Sequence, residues 1–194
     1  MGYFMKIVVT DGATLNPGDL SWQDLERLGK CRVYDGGSNK ESLQRCSDAD
    51  IVVTNKVMFD RAAFEKLTNL KMIAVTATGY NIIDTEAAKD HGAVVCNVPV
   101  YSTNSVAQMV FALILELCNH VGYHNQTVHD GRWVNSKNFC YWDMPLVELD
   151  GLTMGIVGCG TIGIKTVKIA KALGMKVIAH HISAAYRDCG VDEF

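Results

Sequence analysis

A chain of 194 residues, 48% hydrophobic and 20% charged with a formal net charge of −3, carries enough apolar material for one large core or two small ones. That charge argues against a partner nucleic acid or an anionic membrane surface. The start MGYFMKIVVTDG has no basic region followed by an apolar one, so a cytoplasmic protein is expected. The apolar stretch Val106–Leu117 is interrupted by Gln108 and Glu116, which excludes a membrane span there. Seven widely spaced cysteines without a C-x-x-C, several in apolar runs, read as small hydrophobes in a reducing compartment rather than a disulfide frame or zinc site.

Strand and helix patterns alternate from the start. Lys6–Thr10, Cys31–Tyr34, Ile51–Thr54, Met72–Thr76 and Val94–Cys96 are short β-branched or apolar runs, and Ser21–Leu28, Glu41–Cys46, Asp60–Leu67 and Asp84–Asp90 have helical spacing. Such alternation predicts an α/β fold, a parallel sheet covered by helices on both faces. A long helix follows over 102–125, apolar at Val106, Met109, Val110, Leu113, Leu117 and Val121, with a capping signal from Ser102, Thr103 and Asn104. His120 and His124 stand at i and i+4, which is also metal-ligand spacing. No carboxylate or thiol completes a site, so with His129 they read as a polar interface or solvated face, and no metal is expected.

The stretch from Thr127 to Asp150 has no clear period and is long for a connector. Its Trp133, Phe139, Tyr141 and Trp142 are of the type that anchors interfaces, so the segment is expected to pack either on a partner or in the chain's own core, with Arg132 fixing it.

Between Gly151 and His181 the chain then places an apolar strand at Thr153–Val157, the turn Gly158-x-Gly160-x-x-Gly163, an amphipathic helix over 162–173 and a second strand from Lys176. In such a turn Gly158 permits the tight bend, Gly160 lets a pyrophosphate approach the backbone and Gly163 lets helix and strand pack closely. The amides of Thr161 and Ile162 then aim at phosphate oxygens. About 20 residues on, where an acidic residue usually holds a ribose 2′-hydroxyl, the chain has His180 and His181. Two readings stand: Ser183 and Arg187 help hold a 2′-phosphate, or these are loop residues that touch nothing. The turn lacks the Lys-Ser/Thr of a Walker loop, which disfavours an NTPase.

The motifs TDGATLNPGDLSW, TNK at Thr54–Lys56, TATGYNIID at Thr76–Asp84, NVPVYSTNSVAQMVFALILEL at Asn97–Leu117, GRW at Gly131–Trp133 and GIVGCGTIG at Gly155–Gly163, in this order, resemble the D-isomer-specific 2-hydroxyacid dehydrogenases, and within them the bacterial glycerate dehydrogenases or hydroxypyruvate reductases. The resemblance implies a flavodoxin-like parallel-sheet substrate domain over residues 1–101, a crossing helix and homodimerisation arm over 102–150, and the first part of a Rossmann cofactor domain over 151–194. Thr78 and Gly79 stand where family members offer backbone N–H groups to a substrate carboxylate. Asn55 and Lys56, on the neighbouring loop, line the same pocket or form a solvated turn. Val106 stands at a position that touches the nicotinamide side of the cofactor, and His181 near its ribose end.

The implied reaction moves a hydride between NAD or NADP and a small 2-oxo or 2-hydroxy acid such as hydroxypyruvate or glycerate. The Arg, Glu and His that the family uses are expected beyond Phe194, so no catalytic residue is expected in this chain, which reads as truncated. Two functions therefore stand: a portion of a glycerate dehydrogenase-like oxidoreductase, or a non-catalytic module that dimerises and holds a small carboxylate without hydride transfer.

Overall fold

In the computed structural model, which describes residues 4–180 and 190–193, the first apolar runs become the strands β1 (Lys6–Val9), β2 (Lys30–Val33), β3 (Ile51–Thr54), β4 (Met72–Val75) and β5 (Val94–Cys96). All pair in parallel in the order β2-β1-β3-β4-β5, the order of flavodoxin-like sheets. Side chains alternate across a strand, and that alternation sets the layers. Ile7, Val9 and Val53 pack with Trp22 and Leu25 on one face, while Val8, Val52, Ile73 and Val75 pack with Phe59, Phe64, Leu67 and Ala87 on the other. Cys46 belongs to this second core, and burial pushes its thiol up to about 12, so it packs as a small hydrophobe.

The helices between the strands are α1 (Gly12–Leu15), α2 (Gln23–Glu26), α3 (Asn39–Arg45), α4 (Arg61–Lys66) and α5 (Thr85–His91). Three are capped as their sequences prescribe. Ser38 and Glu41 form a capping box on α3, and the Asp60 and Asp84 carboxylates accept the N–H groups of Ala63 and Ala87 at 2.9 and 2.8 Å. Two expectations shift here. The helix read over Ser21–Leu28 contracts to α2, and α1 forms where no period announced it, because a single turn holds too few residues to show one.

The amino ends of the strands converge on Asp50. Its side chain is fully buried, accepts the Lys6 N–H at 2.9 Å and pairs with Lys71 Nζ at 2.9 Å, while its own carbonyl accepts from Lys71 and Met72. One residue thus ties the starts of β1, β3 and β4.

The chain divides into two compact units, Met1–Pro99 and Val100–Phe194. The second contains α6 (Thr103–Asn119), α7 (Val121–His129), the parallel pair β6 (Thr153–Val157) and β7 (Lys176–His180), and α8 (Thr161–Ala172) between them. Phe111 of α6, Val167 and Ala170 of α8, Val177 and Ala179 of β7, and Leu149 form its core.

The single helix expected over 102–125 is in fact two, bent by 58° at His120, whose φ of +49° is left-handed. Glycine is a weak helix former, and the Glu116 carboxylate takes the Gly122 N–H at 3.1 Å in place of a continued ladder. Ser102 occupies the N-cap but makes no side-chain capping bond. His124 Nδ1 lies 2.9 Å from the His120 carbonyl. Among the described residues no group of three His, Cys, Asp or Glu side chains is placed to hold a metal ion. Among the described residues no single helix is long and apolar enough to cross a membrane; α6 and α7 qualify only as a bent pair.

Arg132 does hold the arm. It pairs with Asp143 and its guanidinium lies 4.6 Å over the Tyr141 ring, whose hydroxyl is 2.7 Å from Thr127 Oγ1. The bond from Arg132, and then that from the Tyr123 hydroxyl, holds the Asp143 carboxyl below its usual range. Trp133, Phe139 and Trp142 are 56%, 91% and 72% exposed, so packing in the chain's own core is not what they do.

Asp50→Asn should lower unfolding stability by about 1 to 3 kcal/mol, since a buried acceptor is weakened and the ion pair with Lys71 is lost. Urea unfolding followed by circular dichroism would measure it, and an unchanged midpoint would show that the strand starts do not depend on this carboxylate.

Candidate functional site

Open α/β sheets hold ligands at the carboxyl ends of their strands. In the first unit these ends are joined by a ridge of polar bonds. The Thr10 hydroxyl lies 2.9 Å from both Asp11 Oδ1 and Thr54 Oγ1, and Thr54 Oγ1 accepts the Val57 N–H at 3.3 Å. Thr76 donates its N–H and hydroxyl to the Thr54 carbonyl at 2.9 and 3.2 Å, which ties the loop after β3 to the loop after β4.

Further along, the carbonyl side of the β4 loop is turned onto the segment after β5. Asn97 Nδ2 donates to the Thr78 carbonyl at 2.8 Å, Thr78 Oγ1 to the Val98 carbonyl at 3.0 Å, and Val98 N–H to the Ala77 carbonyl at 3.1 Å. Thr78 and Gly79 are both exposed, and among the described residues no acceptor takes their N–H groups. Two adjacent open amides suit a carboxylate, which they bind by hydrogen bonds without a competing charge.

Asn55 and Lys56 sit on the adjoining loop, and their own N–H groups are occupied. Asn55 N lies 3.0 and 2.8 Å from the two Asp11 carboxylate oxygens, and Lys56 N lies 2.7 Å from Oδ2. The donors of these two residues that remain for a ligand are on their side chains. Lys56 is exposed and makes no ion pair among the described residues.

In the second unit the glycine turn divides its work by position. Gly158 adopts φ +98°, a conformation that strains any side chain, and its N–H donates to the His180 carbonyl at 2.8 Å. Gly160 is the N-cap of α8, and among the described residues no atom outside its chain neighbours lies within 4 Å of where its Cβ would stand, which leaves its backbone open to close approach. A Cβ on Gly163 would meet the Gly158 carbonyl oxygen at 2.2 Å, so here glycine is required by packing. The first amides of α8, from Thr161 and Ile162, have no intrahelical acceptor and carry the positive end of the helix dipole. This cradle fits a pyrophosphate. Val106, in the first turn of α6, is 39% exposed. His181, Ser183 and Arg187 lie outside the described residues.

Of the residues singled out in the sequence, Asn55, Lys56, Thr78 and Gly79 lie at one end of one sheet. Gly158, Gly160, Thr161, Ile162 and Gly163 form one turn. Asp11 and Asn97 were not singled out. Their bonds run 44 and 19 residues along the chain, and no local pattern announces a partner at such a distance.

Residues 7–186 match the family model described as D-isomer specific 2-hydroxyacid dehydrogenase, catalytic domain, and the chain belongs to that family. It is 55% identical over 179 residues to a hydroxypyruvate reductase of Blautia hydrogenotrophica, across 91% of this chain and 56% of that protein. With a glycerate dehydrogenase of Methylorubrum extorquens it shares 38% identity over 143 residues, 74% of this chain and 46% of the relative. Among solved structures, an acyclic imino acid reductase in complex with NADPH and D-Arg superposes with a TM-score of 0.75 at 28% identity, covering 98% of this chain and 60% of that one. The chain thus spans about half the length of the curated relatives it matches.

Gly163→Ala should destabilise the chain by about 1 to 3 kcal/mol, because the added methyl meets backbone. Gly160→Ala, entering open space at φ −73°, should unfold as the parent does. Thermal melts of the two variants would check this, and equal melting temperatures would remove the packing role from Gly163.

Proposed function

We propose that this chain carries the substrate-binding unit and the opening of the cofactor-binding unit of an NAD(P)-dependent 2-hydroxyacid dehydrogenase acting on a small D-2-hydroxy acid of the glycerate and hydroxypyruvate type. The observation that carries this reading is the open amide pair of Thr78 and Gly79 at the carboxyl ends of a β2-β1-β3-β4-β5 sheet. Family membership and the similarity to a hydroxypyruvate reductase support the same substrate class.

In this reading residues 1–101 bind substrate, 102–150 supply a crossing helix and dimerisation arm, and 151–194 begin the cofactor domain. Thr78 and Gly79 hold the carboxylate by their N–H groups, and the Asn55 and Lys56 side chains close the pocket beside it. Gly158, Gly160 and Gly163 shape the turn on which Thr161 and Ile162 donate to a pyrophosphate, and Val106 meets the nicotinamide side. Bound NAD or NADP supplies the hydride donor or acceptor. The choice between the two falls to the residues from His181 on, because in the sequence His180 and His181 stand where an acidic residue usually holds a ribose 2′-hydroxyl. No acid–base residue is assigned in this chain.

Titration of the isotope-labelled chain with D-glycerate should shift the amide resonances of Thr78 and Gly79 first and saturate. Unmoved resonances at millimolar glycerate would overturn the reading.

A second copy of the chain is the partner proposed for the arm. Met109, Leu113 and Leu117 of α6 are exposed, together with Trp133, Phe139 and Trp142, and apolar side chains on this scale are typical of interfaces. Leu113→Asp combined with Leu117→Asp should convert a dimer to monomers in sedimentation equilibrium. A retained dimer would place the interface elsewhere.

A further inference from the structure

Asp11 is a buried carboxylate that the reading above leaves without a task. It occupies the N-cap position of α1, where an aspartate ordinarily accepts from its own helix, yet it makes no side-chain capping bond there. Its two oxygens reach instead to the loop after β3, taking the N–H groups of Asn55 and Lys56. The Thr10 hydroxyl, on a fully buried residue, braces Oδ1 at 2.9 Å.

This arrangement answers an electrostatic problem. A buried negative charge close to a site for an anion would repel it unless donors surround that charge. Here two backbone amides and one hydroxyl do so, and the bonds that satisfy the Asp11 oxygens also set the backbone from which the Asn55 and Lys56 side chains project. Through Thr54, the same network reaches Thr76 and the loop of Thr78 and Gly79.

We propose that Asp11 is the positioning residue of the carboxylate site: it fixes the 55–56 loop so that the Asn55 and Lys56 side chains are preset beside the Thr78 and Gly79 amides. This rests on the substrate-site reading given above. Asp11 touches no substrate itself, and it acts through the loop.

Asp50 provides an internal control. It too is a buried carboxylate accepting backbone N–H, but at the amino ends of the same strands. A purely structural role for Asp11 would make the two residues equivalent.

The test is D-glycerate affinity, from amide shifts in the full chain, for the parent, Asp11→Asn, Asp50→Asn and Thr10→Val. Asp11→Asn should weaken binding about tenfold, with the Asn55 and Lys56 resonances displaced before ligand is added. Asp50→Asn should bind within about twofold of the parent while melting at lower temperature. Thr10→Val, which removes the brace alone, should weaken binding by a smaller factor and decides the matter if Asp11→Asn does not fold. Parent-like affinity in Asp11→Asn, in Thr10→Val when that variant decides, or losses in Asp11→Asn and Asp50→Asn that track their melting temperatures, would overturn the positioning role alone. Absence of binding by the parent would overturn the site reading and this inference together.

Discussion

Strands that run in parallel begin together and end together, so the backbone groups beyond the last ladder bonds collect in two rows, one at each end of the sheet. Buried donors in such rows cost free energy unless something accepts from them. In this chain carboxylates at both ends meet that requirement. Asp50 gathers the starts of β1, β3 and β4, and Asp11 gathers the loop at their finish. The first bond set lies at the amino ends of the strands, away from the end where such sheets hold ligands. The second falls where loops of a doubly wound sheet are free to meet a ligand, and so the same chemistry acquires a functional setting.

The second unit solves a different problem with a different residue type. A helix that must start close to a strand, and leave its first amides clear, cannot carry side chains at the crossing points. Gly158 supplies the left-handed turn, Gly163 the contact with a carbonyl oxygen, and Gly160 the uncovered backbone between them. Binding of an anion there needs no side-chain charge, only geometry that the three glycines permit.

Much of this was legible in the sequence because it is written in local patterns. β-Branched runs such as Ile51–Thr54 announce their strands, Asp60 and Asp84 announce helix starts, and the glycine spacing announces the turn. What escaped depends on contacts that pattern does not encode. Two helices replace one because Glu116 meets Gly122 and His120 turns left-handed, and an amphipathic period continues undisturbed through such a bend. The partnership of Asp11 with Asn55 and Lys56 spans the distance between two strands that become neighbours only in the folded sheet. Thr78 and Gly79 were singled out by family resemblance. The reason their amides are open, the turning of the Ala77 and Thr78 carbonyls toward Val98 and Asn97, is visible only in three dimensions.

The attachment of the 55–56 loop has an evolutionary side. Asp11 grips peptide N–H groups, which every residue except proline possesses, so the course of this loop is indifferent to which side chains it bears. Positions 55 and 56 can therefore exchange an amide or an ammonium group for something larger, smaller or apolar while the backbone keeps its place. A scaffold of that kind lets a lineage change what it prefers to bind through one or two substitutions, with the anchoring aspartate left as it was.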